Sequence, residues 1–304
     1  MRLAAIVNAK GGSLRTADFD MFSRHLREVF TQAGDRVDVI KVKGPDLPGK
    51  LEDVFSDSQY DGVIAAGGDG TISLAASHAW KSGKLLLPIP AGTMNLFTRG
   101  LGIEPDIFTA VEQLADGRDM ACDLVTANDY PFIHQFSVGL QPKMIRLRAS
   151  MPYRTRIGKI LASTRATFYA FRSRRNVEAR VFCDDEEVGS GEYGLIAVSN
   201  NVFGPGHLPY SDHPNEGKLG VYIVPPLPFA GLLSVSFSIL TGQWSQHPAV
   251  QFKAAKDVRL QFLSVTRRVR ASIDGELQLV GEEVSFRVHE KAFTVRVPKE
   301  VAPR

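Results

Sequence analysis

The first 120 residues alternate between short, continuous apolar runs and segments in which apolar residues return at helical spacing. The runs Leu3–Val7, Val63–Ala66 and Leu85–Ile89 are apolar throughout, which predicts strands that are buried on both faces. Between the runs, apolar spacings of three and four residues predict amphipathic helices, one of them over Ile72–Lys81. Buried strands that alternate with helices indicate a parallel sheet covered on both faces.

The pattern changes near residue 120, where short alternating strands separated by turn residues predominate. They are predicted at Cys122–Ala127, Tyr130–Val138, Glu178–Cys183, Gly191–Ser199 and Leu219–Val224, with several more between Val250 and Val297. Such strands are typical of an antiparallel β-sandwich or barrel. We therefore predict two domains, residues 1–120 and 121–304, and leave open whether the last strand returns to the first domain.

Composition narrows the classes of function only a little. The chain has 304 residues and a formal net charge of +3, which is too small a charge to indicate a nucleic-acid partner. Its two cysteines, Cys122 and Cys183, lie far apart and have no partners at metal-ligand spacing. We therefore expect two buried thiols in a cytoplasmic protein.

One long stretch without charge, Leu219–Trp244, bears on contact with membranes. Its prolines at 225, 226 and 228 divide it into a strand and a helix of roughly fourteen residues, too few to span a bilayer. A buried helix is the first interpretation of this segment, and contact with a membrane surface is the second.

The strongest chemical signal is the turn Gly67-Gly68-Asp69-Gly70-Thr71, which joins a buried strand to a helix. Glycines let backbone N–H groups approach phosphate oxygens, and the helix N-terminus adds partial positive charge. A carboxylate in such a turn suits a cation, so Asp69 is predicted to meet Mg²⁺ on a nucleotide. The alternative is a plain glycine turn in which Asp69 caps the helix.

Two further glycine turns follow strands of the same predicted sheet, Asn8–Ser13 and Pro90–Asn95. In an open parallel sheet, ligands bind outside the carboxyl ends of the strands. The three turns are therefore expected to form one crevice, although each turn alone has a structural explanation.

The order of these motifs resembles the diacylglycerol kinase catalytic family, which includes bacterial diacylglycerol kinases and the related sphingosine and ceramide kinases. It is carried by Asn-x-x-x-Gly from Asn8, Gly-Gly-Asp-Gly-Thr from Gly67, Pro-x-Gly-Thr-x-Asn from Pro90 and Asp-Gly-Glu from Asp274. NAD kinases and phosphofructokinases share a turn like the second motif, whereas the third and fourth motifs favour the lipid kinases. The resemblance implies an α/β N-terminal domain with a parallel sheet, as in NAD kinase and phosphofructokinase, followed by an antiparallel β-sandwich.

The resemblance also implies roles for individual residues. The residues implied around ATP are Asn8, Ala9, Lys10, Gly11, Gly12, Gly67, Gly68, Asp69, Gly70, Thr71, Ile72, Ser73, Thr93 and Asn95. Asp69 and Asp123 are implied to bind the catalytic Mg²⁺, and Glu216 stands where some bacterial relatives hold a structural Mg²⁺. Asp274, with Glu276 close by, is implied to be the base that faces the lipid hydroxyl. A β-hairpin turn at Asp274-Gly275 is the structural alternative, and the two interpretations are compatible.

The sequence departs from the family at four positions near the nucleotide, and one of them is Val42, where relatives commonly end the second strand with Thr. Ser73 and Leu74 stand where many relatives have Asn and Glu, and Leu96 stands where many have Asp. These changes motivate one alternative, a lipid- or nucleotide-binding relative without turnover. The other alternative is an NAD kinase-like enzyme that uses the same central turn.

Residues 143–175 hold ten basic residues and no acidic one. A solvated helix face normally mixes both signs, so this bias favours anionic headgroups at a membrane surface. The expected partners are therefore a lipid substrate at the membrane and a nucleotide, without nucleic acid, and a homodimer remains an open alternative. We expect a cytoplasmic enzyme, an ATP-dependent lipid kinase associated peripherally with the inner face of the membrane.

Overall fold

The computed structural model describes residues 1–8, 12–15, 18–140, 142, 176–263 and 268–299. The chain divides into two compact units. The first contains Met1–Leu124, Tyr210–Glu216 and His289–Arg304, and the second contains Val125–Pro209 and Gly217–Val288. No helix within the described ranges combines the length and apolar character needed to cross a membrane.

The first half of the chain contains most of the helices that the structure describes. The strands here are β1 (Arg2–Asn8), β2 (Arg36–Val42), β3 (Gly62–Gly67), β4 (Leu85–Pro90), β5 (Arg118–Ala127), β6 (Tyr130–Phe132) and β7 (Gln135–Gly139). The helices here are α1 (Phe19–Gln32), α2 (Leu47–Ser56), α3 (Asp69–Ser82), α4 (Leu96–Gly100) and α5 (Ile107–Ala115).

In the second half, strands predominate. They are β8 (Val177–Cys183), β9 (Glu186–Tyr193), β10 (Leu195–Asn200), β11 (Leu219–Val224), β12 (Gln251–Ala255), β13 (Asp257–Phe262), β14 (Val269–Ile273), β15 (Glu276–Val280) and β16 (Glu283–Val297). One described α-helix, α6 (Phe229–Leu240), lies between β11 and β12. Short 3₁₀ turns occur at Ser13–Arg15, Gly44–Asp46 and Trp244–Gln246.

The first unit is built on the predicted parallel sheet. Its strands follow the order β2-β1-β3-β4, and Val295 of β16 pairs in parallel with Leu86 of β4. The residues of β3 and β4 are buried throughout, as expected for strands that helices cover on both faces. The carboxyl ends of β1, β3 and β4 therefore meet at one edge of the sheet.

Two helix pairs pack on this sheet. Phe22 of α1 meets Phe108 of α5 edge to face with ring centroids 5.9 Å apart, and Phe55 of α2 stacks on His78 of α3 at 5.8 Å. The crossover through α1 runs in the opposite direction along the sheet to those through α2 and α3. Because such crossovers are right-handed, the two pairs occupy opposite faces.

The second unit is an antiparallel sandwich. One sheet has the order β12-β11-β10-β7-β14-β15, and the other includes β13, β8 and β9 together with the first part of β16. Alternate side chains from both sheets fill a common apolar core, which includes Phe136, Val198, Val221, Leu260 and Phe286. This arrangement confirms the predicted fold class, an α/β part followed by an antiparallel β part.

Two predicted strands are in fact broken at corners. The segment Gly191–Ser199 was expected to be one strand, but it ends β9 at Tyr193 and begins β10 at Leu195, and the two strands belong to different sheets. Gly194 forms the corner: its N–H donates to the carbonyl of Val224, and a Cβ there would lie 2.9 Å from the carbonyl oxygen of Pro225. The second break lies between β6 and β7, where three backbone N–H groups donate to Asp274.

Candidate active site

The turn between β3 and α3 is tighter than the sequence suggested. Gly67 is the last residue of β3, Gly68 caps the helix, and α3 begins at Asp69 rather than at the predicted Ile72. The Gly68 carbonyl accepts the N–H groups of Thr71 and Ile72 at 2.9 and 3.1 Å. Because a Cβ on Gly67 would lie 2.5 Å from the Thr71 side chain, only glycine fits there. The first N–H groups of a helix have no partner within the helix, and such groups commonly bind anions.

The turn after β4 packs directly against this one. A Cβ on Gly92 would lie 2.7 Å from the Gly68 Cα and 2.7 Å from Oδ1 of Asn95. Asn95 is buried and left-handed, with φ of 52°. Its Oδ1 accepts the Gly92 N–H at 2.8 Å, and its Nδ2 donates to the Gly92 carbonyl at 3.3 Å. Asparagine tolerates this backbone region and closes the turn with its own amide, while Thr93 is left exposed.

Asp69 ties the two turns together. Its Oδ2 accepts the N–H of Asn95 at 3.0 Å, and its Oδ1 accepts the N–H of Leu96 at 2.7 Å. These amides open α4, a short helix that the sequence pattern did not predict, and the carboxylate satisfies N–H groups that a helix start leaves without partners. The predicted cation ligand therefore also has a structural function, which is to hold the third motif against the second.

The turn after β1 contacts the turns after β3 and β4. Nδ2 of Asn8 donates to Oγ1 of Thr71 at 3.2 Å, and the Ser13 N–H donates to the Ala91 carbonyl at 3.0 Å. A Cβ on Gly12 would lie 3.0 Å from the same carbonyl oxygen. Ala9, Lys10 and Gly11 lie outside the described residues. The structure thus brings together Asn8, Gly12, Gly67 to Ser73, and Asn95, at the shared edge of β1, β3 and β4.

Asp123 and Glu216 occupy neighbouring segments of the first unit. Asp123 is fully buried in β5; its Oδ1 accepts the N–H of Lys291 at 2.8 Å, and its own N–H donates to the Pro214 carbonyl at 2.8 Å. Glu216 is exposed, two residues beyond Pro214.

Within the part of the chain that the structure describes, no three His, Cys, Asp or Glu side chains are grouped to hold a metal ion. Magnesium usually takes one or two protein carboxylates and completes its shell with water and substrate phosphates. Asp69 and Asp123 thus do not form part of a closed protein cage, and their predicted contact with an ion that arrives with a nucleotide stays a prediction.

Asp274 lies at the tip of the hairpin between β14 and β15. Asp274 and Gly275 have φ angles of 46° and 87°, both positive, as a two-residue type I′ turn requires. Glu276 is exposed at the start of β15. The predicted hairpin is thus confirmed, and it directs the Asp274 carboxylate toward the backbone between β6 and β7.

Three backbone amides hold that carboxylate. Oδ2 of Asp274 accepts the N–H of Ile133 at 2.9 Å, and Oδ1 accepts those of His134 and Gln135 at 3.0 and 2.9 Å. The prediction of one strand over Tyr130–Val138 was therefore wrong. Consecutive amides that converge on one carboxylate cannot alternate as in a strand, so the chain bends between β6 and β7.

The two cysteines supply no nucleophile to the site. Both are free and buried, as predicted. Burial, with a smaller contribution from Asp123, raises the pKa of Cys122 far above the ordinary value of a thiol, and burial raises the pKa of Cys183 to about 11. Because the thiolate is the reactive form, burial makes both thiols poor nucleophiles near neutral pH.

Comparison with known proteins places these features in a family. Residues 2–127 match the family model of the diacylglycerol kinase catalytic domain. A diacylglycerol kinase of Bacillus subtilis is 26% identical over 302 residues, which cover 94% of this chain and 95% of the relative. One from Staphylococcus saprophyticus is 26% identical over 243 residues, with 78% of each chain covered.

Solved structures show the same fold. A diacylglycerol kinase from Bacillus anthracis superposes with a TM-score of 0.71 at 17% identity, covering 97% of this chain and 96% of that one. An NAD kinase from Archaeoglobus fulgidus, solved in complex with ATP, superposes with a TM-score of 0.53 at 14% identity, covering 98% and 94%.

Proposed function

We propose that the protein is an ATP-dependent kinase that phosphorylates a lipid hydroxyl, because residues 2–127 match the family model of the diacylglycerol kinase catalytic domain. The observation that carries the proposal is the Asp69 carboxylate, which accepts the N–H groups of Asn95 and Leu96 and so joins the second motif to the third, one of the two that favour the lipid kinases. In this proposal the acceptor is diacylglycerol-like or ceramide- and sphingoid-like, and the protein works at the inner face of a membrane.

The nucleotide phosphates bind at the three strand-end turns in this proposal. The residues assigned to the nucleotide are Asn8 to Gly12, Gly67 to Ser73, Thr93 and Asn95. What supports this is the close contact of Gly68 with Gly92, where no side chain separates the two backbones. Asp69 and Asp123 would hold the Mg²⁺, which neutralises charge on the transferred phosphoryl group. Glu216 is assigned to a second, structural Mg²⁺.

Asp274 is the proposed general base, with Glu276 beside it in sequence. The acceptor oxygen attacks the γ-phosphorus, the bond to ADP breaks, and the hydroxyl proton passes to Asp274. Three backbone amides fix the orientation of this carboxylate, so the base is held in place before the substrate arrives.

Two other functions remain as alternatives. The NAD kinase likeness, which concerns the fold alone, motivates an enzyme that phosphorylates NAD through the same turns. A binding protein without turnover is motivated by Ser73, Leu74 and Leu96, which replace polar residues that are common in the family.

A single labelling experiment separates these functions. The full chain is incubated with γ-labelled ATP and Mg²⁺, together with a total lipid extract in one reaction and NAD in another. A labelled lipid whose mass identifies a phosphorylated diacylglycerol, ceramide or sphingoid base is expected. Label in NADP would favour the first alternative, and binding of ATP without any labelled product would favour the second.

A further inference from the structure

The helix α6 exposes an apolar stripe. Leu233, Phe237 and Leu240 keep 48%, 67% and 76% of their surface exposed, and Phe229 at the start of the helix keeps 48%. Steps of four, four and three residues place these side chains within an arc of roughly 80°. A contiguous apolar surface of this kind marks a site of interaction rather than chance exposure.

The opposite side of α6 fixes the helix to the second unit. Val235 and Ser238 are buried. Ile239 packs against an aromatic cluster that includes Phe203, Tyr222 and Trp244. The helix is therefore anchored without its outer stripe, and folding of the unit gives no reason for large apolar side chains there.

The chemistry around the stripe indicates what it contacts. Residues 219–252 contain no Asp, Glu, Lys or Arg, so no charge on this segment can select a partner by complementarity. Phenylalanine and leucine on one side of a helix match the boundary between headgroups and acyl chains of a bilayer. With 12 residues, α6 is also far shorter than the ~20 needed to span a membrane.

The size of the stripe argues against a dimer interface. Phe252, which is 50% exposed, stacks on Tyr222 of the same cluster at 5.2 Å and is one more exposed apolar side chain of this segment. At about 150–250 Å² per large apolar side chain, the exposed fractions of the five residues amount to roughly 500 Å². A stable dimer needs about 800 Å² from each partner.

We propose that this stripe, Phe229, Leu233, Phe237 and Leu240, is the surface with which the protein docks on a lipid bilayer. The inference rests on the proposed function, because it supplies the membrane contact that a lipid kinase requires. The stripe inserts side chains into the interface while the helix lies along the membrane plane.

The docking helix is connected to the proposed base by one row of cross-strand neighbours. The row runs Phe252, Tyr222, Ala197, Ser137 and Ser272 across β12, β11, β10, β7 and β14. Its members share the sheet face that carries the aromatic cluster, opposite the sandwich core. Ser272 ends the row two residues before Asp274, so the aromatic cluster that anchors α6 and the strand that leads to the proposed base lie on one face of the same sheet.

Vesicle binding tests this surface directly. Full-length protein is sedimented with sucrose-loaded vesicles of phosphatidylcholine and phosphatidylglycerol, and the partition coefficient is compared with that of a Phe237→Ser, Leu240→Ser double variant. We expect at least a tenfold loss. The matched control is Met21→Ser in α1, which removes a side chain of similar exposure, 52%, and should leave binding unchanged.

A soluble acceptor separates docking from catalysis. With a short-chain diacylglycerol below its micellar limit, the double variant should keep wild-type turnover, while phosphorylation of the same headgroup in vesicles falls with binding. Vesicle binding without phosphorylation of any lipid would overturn the proposed function and leave the docking surface standing.

Three outcomes would overturn the docking surface itself. One is unchanged vesicle binding by the double variant. Another is a concentration-dependent dimer in sedimentation velocity that the double variant loses, since the stripe would then be a contact between two copies. The third is a lowered melting temperature with unchanged vesicle binding, which would mean that the chain covers the stripe itself.

Discussion

Asp69 in the first unit and Asp274 in the second both bind backbone amides from distant parts of the chain, yet their surroundings differ. The Asp69 carboxylate accepts two N–H groups from a glycine-containing turn and thereby shapes a surface made of backbone. The Asp274 carboxylate accepts three N–H groups from a strand corner, and there the backbone orients the side chain. In one region the carboxylate organises the binding groups, and in the other it is itself the proposed reactive group.

The largest effect is expected for Asp274→Asn. An amide keeps one acceptor oxygen but turns an NH₂ group toward a backbone N–H, so the free energy of unfolding should fall by about 1–3 kcal/mol. Loss of the base should lower the transfer rate by about 100-fold or more. Initial rates at saturating ATP and urea unfolding measure the two effects separately.

Asp184→Asn is the matched control for this change. Asp184 is also a left-handed turn residue of the second unit, with φ of 51°. Its Oδ1 alone accepts the N–H groups of Lys256 and Asp257 at 2.8 and 3.0 Å, so an asparagine oxygen preserves both bonds. Stability and turnover should both be retained, and full turnover in Asp274→Asn would remove that residue from the role of base.

Gly92→Ala tests the two strand-end turns whose backbone is proposed to bind the nucleotide phosphates. The new methyl group would lie 2.7 Å from the Gly68 Cα, so the two turns must separate, at a cost of about 1–3 kcal/mol in the free energy of unfolding. We expect kcat/KM for ATP to fall at least tenfold, with a smaller change in KM for the lipid.

Gly49→Ala is the control for added bulk and lost chain freedom in the same unit. Gly49 lies in α2, where a Cβ would meet nothing within 4 Å. This variant should gain about 0.5–1 kcal/mol of stability with unchanged kinetics. If Gly92→Ala bound ATP as well as Gly49→Ala does, the contact between the two turns would have no part in nucleotide binding.

Asp69→Asn distinguishes the structural function of this carboxylate from its proposed metal function. The amide oxygen keeps one backbone bond and the NH₂ group opposes the other, so the turn should loosen modestly. If Asp69 also binds Mg²⁺, the magnesium concentration for half-maximal rate should rise several-fold, because a neutral amide is a weaker ligand for the ion. A magnesium titration of the initial rate measures this shift.

Asp106→Asn provides the comparison, since Asp106 caps α5 through Oδ1, which accepts the N–H groups of Phe108 and Thr109. Asparagine is an equally good cap, so the magnesium requirement should stay unchanged. An Asp69→Asn enzyme that is slower but has the wild-type magnesium requirement would assign Asp69 a structural function alone.

The sequence predicted the elements that depend on neighbouring residues, and it did not predict those that depend on residues far away in the chain. The parallel sheet and the Asp274-Gly275 hairpin depend on local patterns of apolar residues and on turn chemistry, and the structure contains both. The bend between β6 and β7 depends on a carboxylate some 140 residues later in the chain, which no local pattern reports. The helix α4 likewise begins where Asp69, 27 residues earlier, accepts the N–H of Leu96.

The candidate site shows the same limit. Three motifs predicted the strand-end turns, but not that Asn95 would be left-handed and hydrogen bonded to Gly92. The spacing of a glycine and an asparagine three residues apart was the available signal, since asparagine tolerates that conformation. The basic stretch at 143–175 lies outside the described residues, and its assignment to anionic headgroups stays a prediction.

The smallest effect is expected for two buried serine side chains in the second unit. The hydroxyls of Ser137 and Ser272 are buried and have no hydrogen-bond partner in the described structure, and they stand opposite each other on β7 and β14. Because an unsatisfied buried hydroxyl is a cost to folding, alanine at both positions should leave the free energy of unfolding unchanged or raise it by up to about 1 kcal/mol.

The kinetics of that double variant sharpen the comparison between the two aspartates. If these hydroxyls meet the polar part of the acceptor beside Asp274, KM for the lipid should rise a few-fold while KM for ATP stays constant. Unchanged KM for both substrates, with retained stability, would show that neither hydroxyl contacts the lipid acceptor. Asp274 would then have to meet the acceptor hydroxyl without help from the strand that carries it.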